Sequence, residues 1–165
     1  MAKLTLGGTP VETSGELPKV GTVAPDFKLT AVDLSTKTLK DYAGKNIVLN
    51  IYPSIDTSTC ATSARKFNEA ASAMENTVIL CISRDLPFAQ SRYCSSEGLE
   101  NIINLADYKD NLFSKAYGVN FIDGPFETLH SRCIVVINSE GIITHTEQVQ
   151  EIANEPNYDA VMSVL

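Results

Sequence analysis

IVLNIYPSIDTSTC, residues Ile47 to Cys60, passes from an apolar run into a polar one. Ile47, Val48, Leu49, Ile51 and Tyr52 are the side chains of a central strand buried on both faces. Pro53 ends that strand, because proline has no N–H to give a ladder. Asp56, Thr57, Ser58 and Thr59 all favour helix N-caps. Beyond them Ala61, Ala64, Arg65, Lys66, Phe67, Glu69, Ala70 and Met74 form a helix-prone segment. Cys60 is therefore expected in the first turn of a helix that springs from a central strand. A thiolate there meets unpaired backbone N–H groups and the positive end of the helix dipole. Both favour the charged form, and such sites lower a cysteine below its free pKa of about 8.5. The simpler use of a cysteine is as a small buried apolar group. The polar run in front of Cys60 argues against a plain apolar wall.

Outward from this stretch the chain alternates strands and helices. Val78 to Ser83, VILCIS, reads as a second apolar strand. Leu86-Pro87 starts a helix, since proline suits the first helical position. That helix carries Phe88, Gln90, Ser91, Tyr93 and Cys94, with Gly98 as its stop. Ile102 to Leu105 is a short strand, and Leu112 to Tyr117 a short helix stopped by Gly118. Cys133 to Ile137 is a strong strand, Asn138 to Gly141 a hairpin loop, and Ile142 to Glu147 its partner. Tyr158 to Leu165 should close the chain as a helix after Pro156. On the N-terminal side, Lys3 to Val11 reads as a hairpin turning at Gly7-Gly8. A punctuated loop from Thr13 to Pro25 follows. Phe27 to Thr30 then reads as a strand, and Leu39 to Ala43 as one helical turn. The order predicts an α/β fold, a central sheet with helices on both faces and an N-terminal β-hairpin.

A chain of 165 residues is most simply one domain, residues 1–165, able to bury about 70% of its unfolded surface. A formal charge of −7 with no long basic run argues against nucleic-acid binding. No charged segment followed by an apolar core marks a signal peptide. No apolar run reaches the roughly 18 residues of a membrane span. A soluble, reducing compartment is the expectation. Four cysteines in such a setting are more readily catalytic or buried than a disulfide framework.

Pro53, Thr57 and Cys60 form P-x-x-x-T-x-x-C, which resembles the peroxidatic-cysteine motif of the peroxiredoxin family. YPSIDTSTC, together with ISRDLPFAQSRYC ending at Cys94, is more similar to the thiol peroxidase branch than to the others. The resemblance covers essentially the whole chain and implies a thioredoxin-like core. It implies that Thr57 and the backbone around Cys60 hold the peroxide. Arg132, which opens RCIVVI, matches the arginine that stabilises the thiolate, and Cys94 matches the resolving cysteine. The implied enzyme is an atypical two-cysteine peroxiredoxin. It reduces hydrogen peroxide and organic hydroperoxides through a Cys60 sulfenic acid, closes a Cys60–Cys94 disulfide, and is restored by thioredoxin. A homodimer and a cytoplasmic location in a bacterium are implied as well.

The chemistry suits these residue types. Peroxide reduction needs a thiolate, donors to the peroxide oxygens, and positive charge beside the S–O–O axis. No metal or organic cofactor is required. Thr57 is equally readable as a plain N-cap and could serve both ends. Arg132 without the resemblance would read as a surface ion pair, with Arg65, Arg84 and Arg92 as other candidates. Pro53 closes the strand and shields the thiolate. Cys94 has polar neighbours in Ser91, Arg92, Ser95 and Ser96, and reads as accessible. Cys81 and Cys133 sit in apolar strands and read as core. With no C-x-x-C, a thioredoxin-type oxidoreductase and a zinc knuckle are both disfavoured. His130 and His145 read as isolated from Cys60 and from any local ligand cluster, which disfavours metal binding and a Cys–His hydrolase, and Asp85, Glu97 and Glu140 read as solvated charges. A peroxide sensor working through the same cysteine pair is the alternative. An enzyme consumes excess peroxide when given reductant, whereas a sensor oxidises once.

Overall fold

The computed structural model describes residues Met1–Leu165. Its strands are β1 (Lys3–Leu6), β2 (Thr9–Glu12), β3 (Leu29–Ala31), β4 (Thr36–Lys37), β5 (Asn46–Ile51), β6 (Thr77–Ser83), β7 (Ile103–Ala106), β8 (Cys133–Ile137) and β9 (Ile143–Gln148). Its helices are α1 (Ser58–Ala71), α2 (Pro87–Glu97), α3 (Leu112–Tyr117) and α4 (Tyr158–Met162), with a 3₁₀ turn at Leu39–Tyr42. Seven strands form one sheet in the order β4-β3-β7-β6-β5-β8-β9, and β1 and β2 form a separate hairpin. β5, β6 and β7 run parallel, while β8, β9, β3 and β4 join antiparallel at the two sides.

β5 lies inside this sheet because its side chains are apolar on both faces. Ile47, Leu49 and Ile51 point into one core with Leu80, Ile82, Cys133, Val135 and Ile137. Val48 and Tyr52 point into the other, with Ile79, Cys81, Ile134 and Val136. The period-two alternation of strands produces this division. Phe113 and Tyr117 of α3 cover the first face. Cys60, Ala64 and Phe67 of α1, Tyr93 and Cys94 of α2, and Val161 of α4 cover the second. The α/β class, the helices on both faces and the N-terminal hairpin are as expected.

The helix ends follow the turn chemistry of the sequence. Pro87 opens α2, and Gly98 and Gly118 end α2 and α3 at φ +66 and +68. Several boundaries shift slightly, and three placements differ more. The third strand is displaced to Leu29–Ala31, because it pairs there with β7 and β4. β4 itself is only two residues and has no pattern to read. The closing helix stops at Met162 instead of reaching Leu165.

Candidate active site

β5 ends at Ile51, and Tyr52 and Pro53 are buried as the chain leaves the sheet. Thr57 is the N-cap residue of α1, with extended backbone at φ −87 and ψ 146. Ala61 N–H is the first to bond back, to the Thr57 carbonyl at 2.9 Å. The amides of Ser58, Thr59 and Cys60 are therefore the orphan donors of the helix end. The Cys60 side chain lies in this turn and is 0% exposed. α1 is anchored to β5 beneath it. Asn50 and Ser63, both buried, exchange hydrogen bonds at 2.9 and 3.2 Å.

Arg132 immediately precedes β8, which pairs antiparallel with β5 in the register Ile51 to Cys133. That register sets Arg132 beside the end of β5, and alternation sends it to the α1 face while Cys133 goes to the other. Its Nη2 donates to Cys60 Sγ at 3.3 Å. Its Nε donates to the Ile152 carbonyl at 2.8 Å. Nη1 is buried without a partner, and the side chain is 2% exposed. Arg132 is thus a buried cation against a sulfur, not a surface ion pair.

Thr57 is half-buried, but its hydroxyl does not cap α1. It donates to the Ser54 carbonyl at 3.0 Å, across a turn in which Thr57 N–H bonds the same carbonyl at 3.1 Å. Cys94 is half-buried, and its sulfur accepts from Asn104 Nδ2 at 2.7 Å. Burial pushes the Cys94 thiol above its ordinary value, and the Asn104 hydrogen bond pulls the other way. It opens onto a groove of about 360 Å³ rimmed by Val32 and Ile103. All four cysteines are free thiols. Burial raises Cys81 and Cys133 to about 12 each.

One reading of the sequence needs correction. Asp85 is not a solvated charge. It accepts from the Ser54 hydroxyl, the Ile55 amide and the Ser83 hydroxyl, each at 2.7 Å. It therefore ties the loop before Cys60 to the loop that begins α2. His130 has buried polar partners that its sequence neighbours do not reveal. Its Nε2 lies 2.9 Å from Asp107 Oδ2 and 3.2 Å from Ser114 Oγ, with all three residues buried. No group of three or more histidine, cysteine or acidic residues is placed to hold a metal.

The sequence identifies Tyr52 only as a strand residue. It is fully buried with its hydroxyl unpartnered. Burial first, then the neighbouring Cys81 and Cys60 sulfurs, hold the phenol neutral. Its position just before Pro53 was the available signal, but a strand-end tyrosine does not by itself say which groups surround it.

A sheet of this topology, with a cysteine sealed at a helix N-terminus against an arginine, defines a thiol-based redox protein of thioredoxin-like architecture. The chain belongs to the Redoxin family, whose model matches residues 19–162. It is 49% identical over 165 residues to a thiol peroxidase of Mycobacterium bovis, covering 100% of this chain and 99% of that one. Among solved structures it resembles a peroxiredoxin-like protein from Aquifex aeolicus, with a TM-score of 0.92 and 34% identity over 99% of this chain and 95% of that one. The fold also matches a thiol peroxidase from Chromobacterium violaceum, with a TM-score of 0.92 at 19% identity over 99% of this chain and 95% of that one. It is a thiol-dependent peroxidase of the peroxiredoxin type.

Proposed function

We propose that residues 1–165 act as one domain that reduces hydrogen peroxide and organic hydroperoxides, alkyl or lipid, through Cys60. The observation that carries this reading is the Arg132 Nη2 donor 3.3 Å from a Cys60 sulfur at the start of α1. An arginine and a set of helix amides both stabilise a thiolate there. The thiolate attacks one peroxide oxygen in line. The O–O bond breaks, an S–O bond forms, and the second oxygen leaves with a proton as water or alcohol. Sulfur loses two electrons and becomes a sulfenic acid, and the peroxide gains them. Arg132 Nη1, buried and unpartnered, is a donor for the oxygen on which charge develops. The α1 amides are the other candidate donors, the Thr57 hydroxyl, whose proton goes to the Ser54 carbonyl, is a candidate acceptor for the peroxide proton, and Pro53 shields the sulfur.

Cys94 then attacks the sulfenic sulfur, expelling water and forming an intramolecular disulfide. Thioredoxin is the reductant we propose, with the groove beside Cys94 as its approach. Antioxidant defence in a bacterial cytoplasm is the setting. No helix is long and apolar enough to cross a membrane. A homodimer is the proposed assembly. Leu86, Phe88 and Leu112 are exposed apolar side chains around the Arg84–Asn111 hydrogen bond, and could centre such a contact.

The test is peroxide consumption with a thioredoxin system, for wild type and Cys60→Ser. Sustained consumption by wild type and none by the variant is expected. One equivalent consumed and then arrest, with reductant in excess, contradicts an enzyme and fits a sensor.

A further inference from the structure

The backbone from Val149 to Asn157 passes across the start of α1, and its fastening leads back to Arg132. Val149 N–H donates to the Arg132 carbonyl at 3.0 Å. The Ile152 carbonyl receives Arg132 Nε at 2.8 Å, and the Ala153 carbonyl receives the Thr59 hydroxyl at 3.0 Å. Farther on, Glu155 pairs with Lys66 of α1 at 3.0 Å. The strap therefore holds both the guanidinium and the first turn of the Cys60 helix.

Glu151 fixes the other side of this strap. Oε2 accepts from the Thr5 hydroxyl at 2.6 Å and Gly8 N–H at 3.0 Å. Oε1 accepts from Gly7 N–H at 2.9 Å and Ala153 N–H at 3.1 Å. Gly7 and Gly8 stand at φ +59 and +82, a turn that glycine adopts without strain and that aims both amides at one carboxylate. These bonds, the Thr5 hydroxyl first, hold the Glu151 carboxyl down at about 2. Thr5 also brackets the strap through its backbone, donating to the Gln150 carbonyl at 2.8 Å and accepting from Ile152 N–H at 2.9 Å. Glu151 does not touch Cys60. It sits one peptide from the carbonyl that orients Arg132.

We propose that Glu151 is a positioning residue, which locks the Ile152 carbonyl that aims Arg132 at Cys60 and so makes the β1–β2 hairpin part of the peroxidase apparatus. The inference rests on the role given to Arg132 above. A guanidinium is planar, so fixing Nε at Ile152 determines where Nη1 and Nη2 fall. Releasing the strap frees that plane to tilt away from the sulfur. Misplacement by about 1 Å is enough to cost a large factor in rate.

The experiment is a double-mutant cycle on single-turnover oxidation of Cys60 by hydrogen peroxide, with wild type, Glu151→Gln, Arg132→Met and the pair. Glutamine turns an amino group toward two of the four donors. Glu151→Gln should slow oxidation roughly tenfold in the wild-type background and less than about twofold when Arg132 is already methionine. The Arg132 Nε–H resonance should exchange faster with water in Glu151→Gln. Thr5→Val, which removes a single side-chain bond, should show both effects in smaller measure and serves if the glutamine variant does not fold. Equal fold-losses in the two backgrounds, or an unaltered Nε–H exchange rate, would reduce Glu151 to a structural residue and overturn the proposal. A wild-type rate in Arg132→Met alone would overturn the reading of Arg132 itself, and is a separate result.

Discussion

The two thiols that the sequence singled out live in different surroundings. Cys60 is sealed in the turn where α1 leaves β5, and that turn is held from several sides. Asn50 and Ser63 anchor the helix, Arg132 and the Ile152 carbonyl stand behind the sulfur, and Thr59 reaches Ala153. Cys94 lies on α2, whose only buried residues are Pro87 and Gln90. Its neighbour Arg92 makes only an exposed ion pair with Asp56 at 3.6 Å, an interaction worth little in water. On the proposed mechanism, the nucleophile that meets a small substrate sits in the rigid part. The thiol proposed to travel sits where few apolar contacts resist local opening. Asp85 ties the loop before one to the start of the other's helix, so the opening of α2 is not independent of the Cys60 pocket.

The sharpest way to break this contrast is at Arg132. Arg132→Met should lower the rate of Cys60 oxidation by roughly 100-fold, the scale of removing a positioned donor from a buried site. Stopped-flow measurement with hydrogen peroxide reads it directly. Arg132→Lys should recover only part of the loss, since it keeps the charge without the planar fork. Cys94→Ser should act on the other half alone. Cys60 should oxidise at the wild-type rate and persist as a trappable sulfenic acid, while intramolecular disulfide and thioredoxin-linked turnover disappear. A slowed first step in Cys94→Ser would mean that the two regions are not separable.

The smallest effects belong to Cys81 and Cys133. Each is raised by burial and held neutral in a strand. Alanine at either position should cost about 1 kcal/mol of stability and leave turnover per folded molecule within about twofold of wild type. Thermal unfolding beside steady-state rates separates the two contributions.

The sequence made these elements legible to different depths. β5, β6 and β8 stood out because strands buried on both faces are continuous apolar runs. α2 and α3 were bounded by Pro87, Gly98 and Gly118, where backbone geometry itself demands the residue. Cys60 was placed by local chemistry, the capping residues in front of it. Arg132 came only from resemblance, because its contact with Cys60 depends on β8 lying against β5, and a strand partner is not written in either strand. Asp85 was misread for the same reason. Its acceptors' partners, Ser54, Ile55 and Ser83, are assembled by the pairing of β5 with β6. His130 and Asp107 meet through separate connections of the chain, and isolated polar residues give no warning of a buried pair. Thr57 followed the rule for an N-cap position but gave its hydroxyl to Ser54, a competition between two nearby carbonyl and amide partners that composition does not rank.

The central claim is that peroxide is met by a folded Cys60 turn and that Cys94 reaches it only by local unwinding. A disulfide needs its Cα atoms within about 7 Å, and the two cysteines lie on separate helices, one at its first turn and one deep inside. Amide hydrogen exchange of the reduced protein against the disulfide form tests this most directly. Exchange should quicken on oxidation across residues 58–63 and 89–97, and change little in β5, β6 and β8. Identical exchange in those two segments in both forms would mean that the pair is preformed, and would contradict the account.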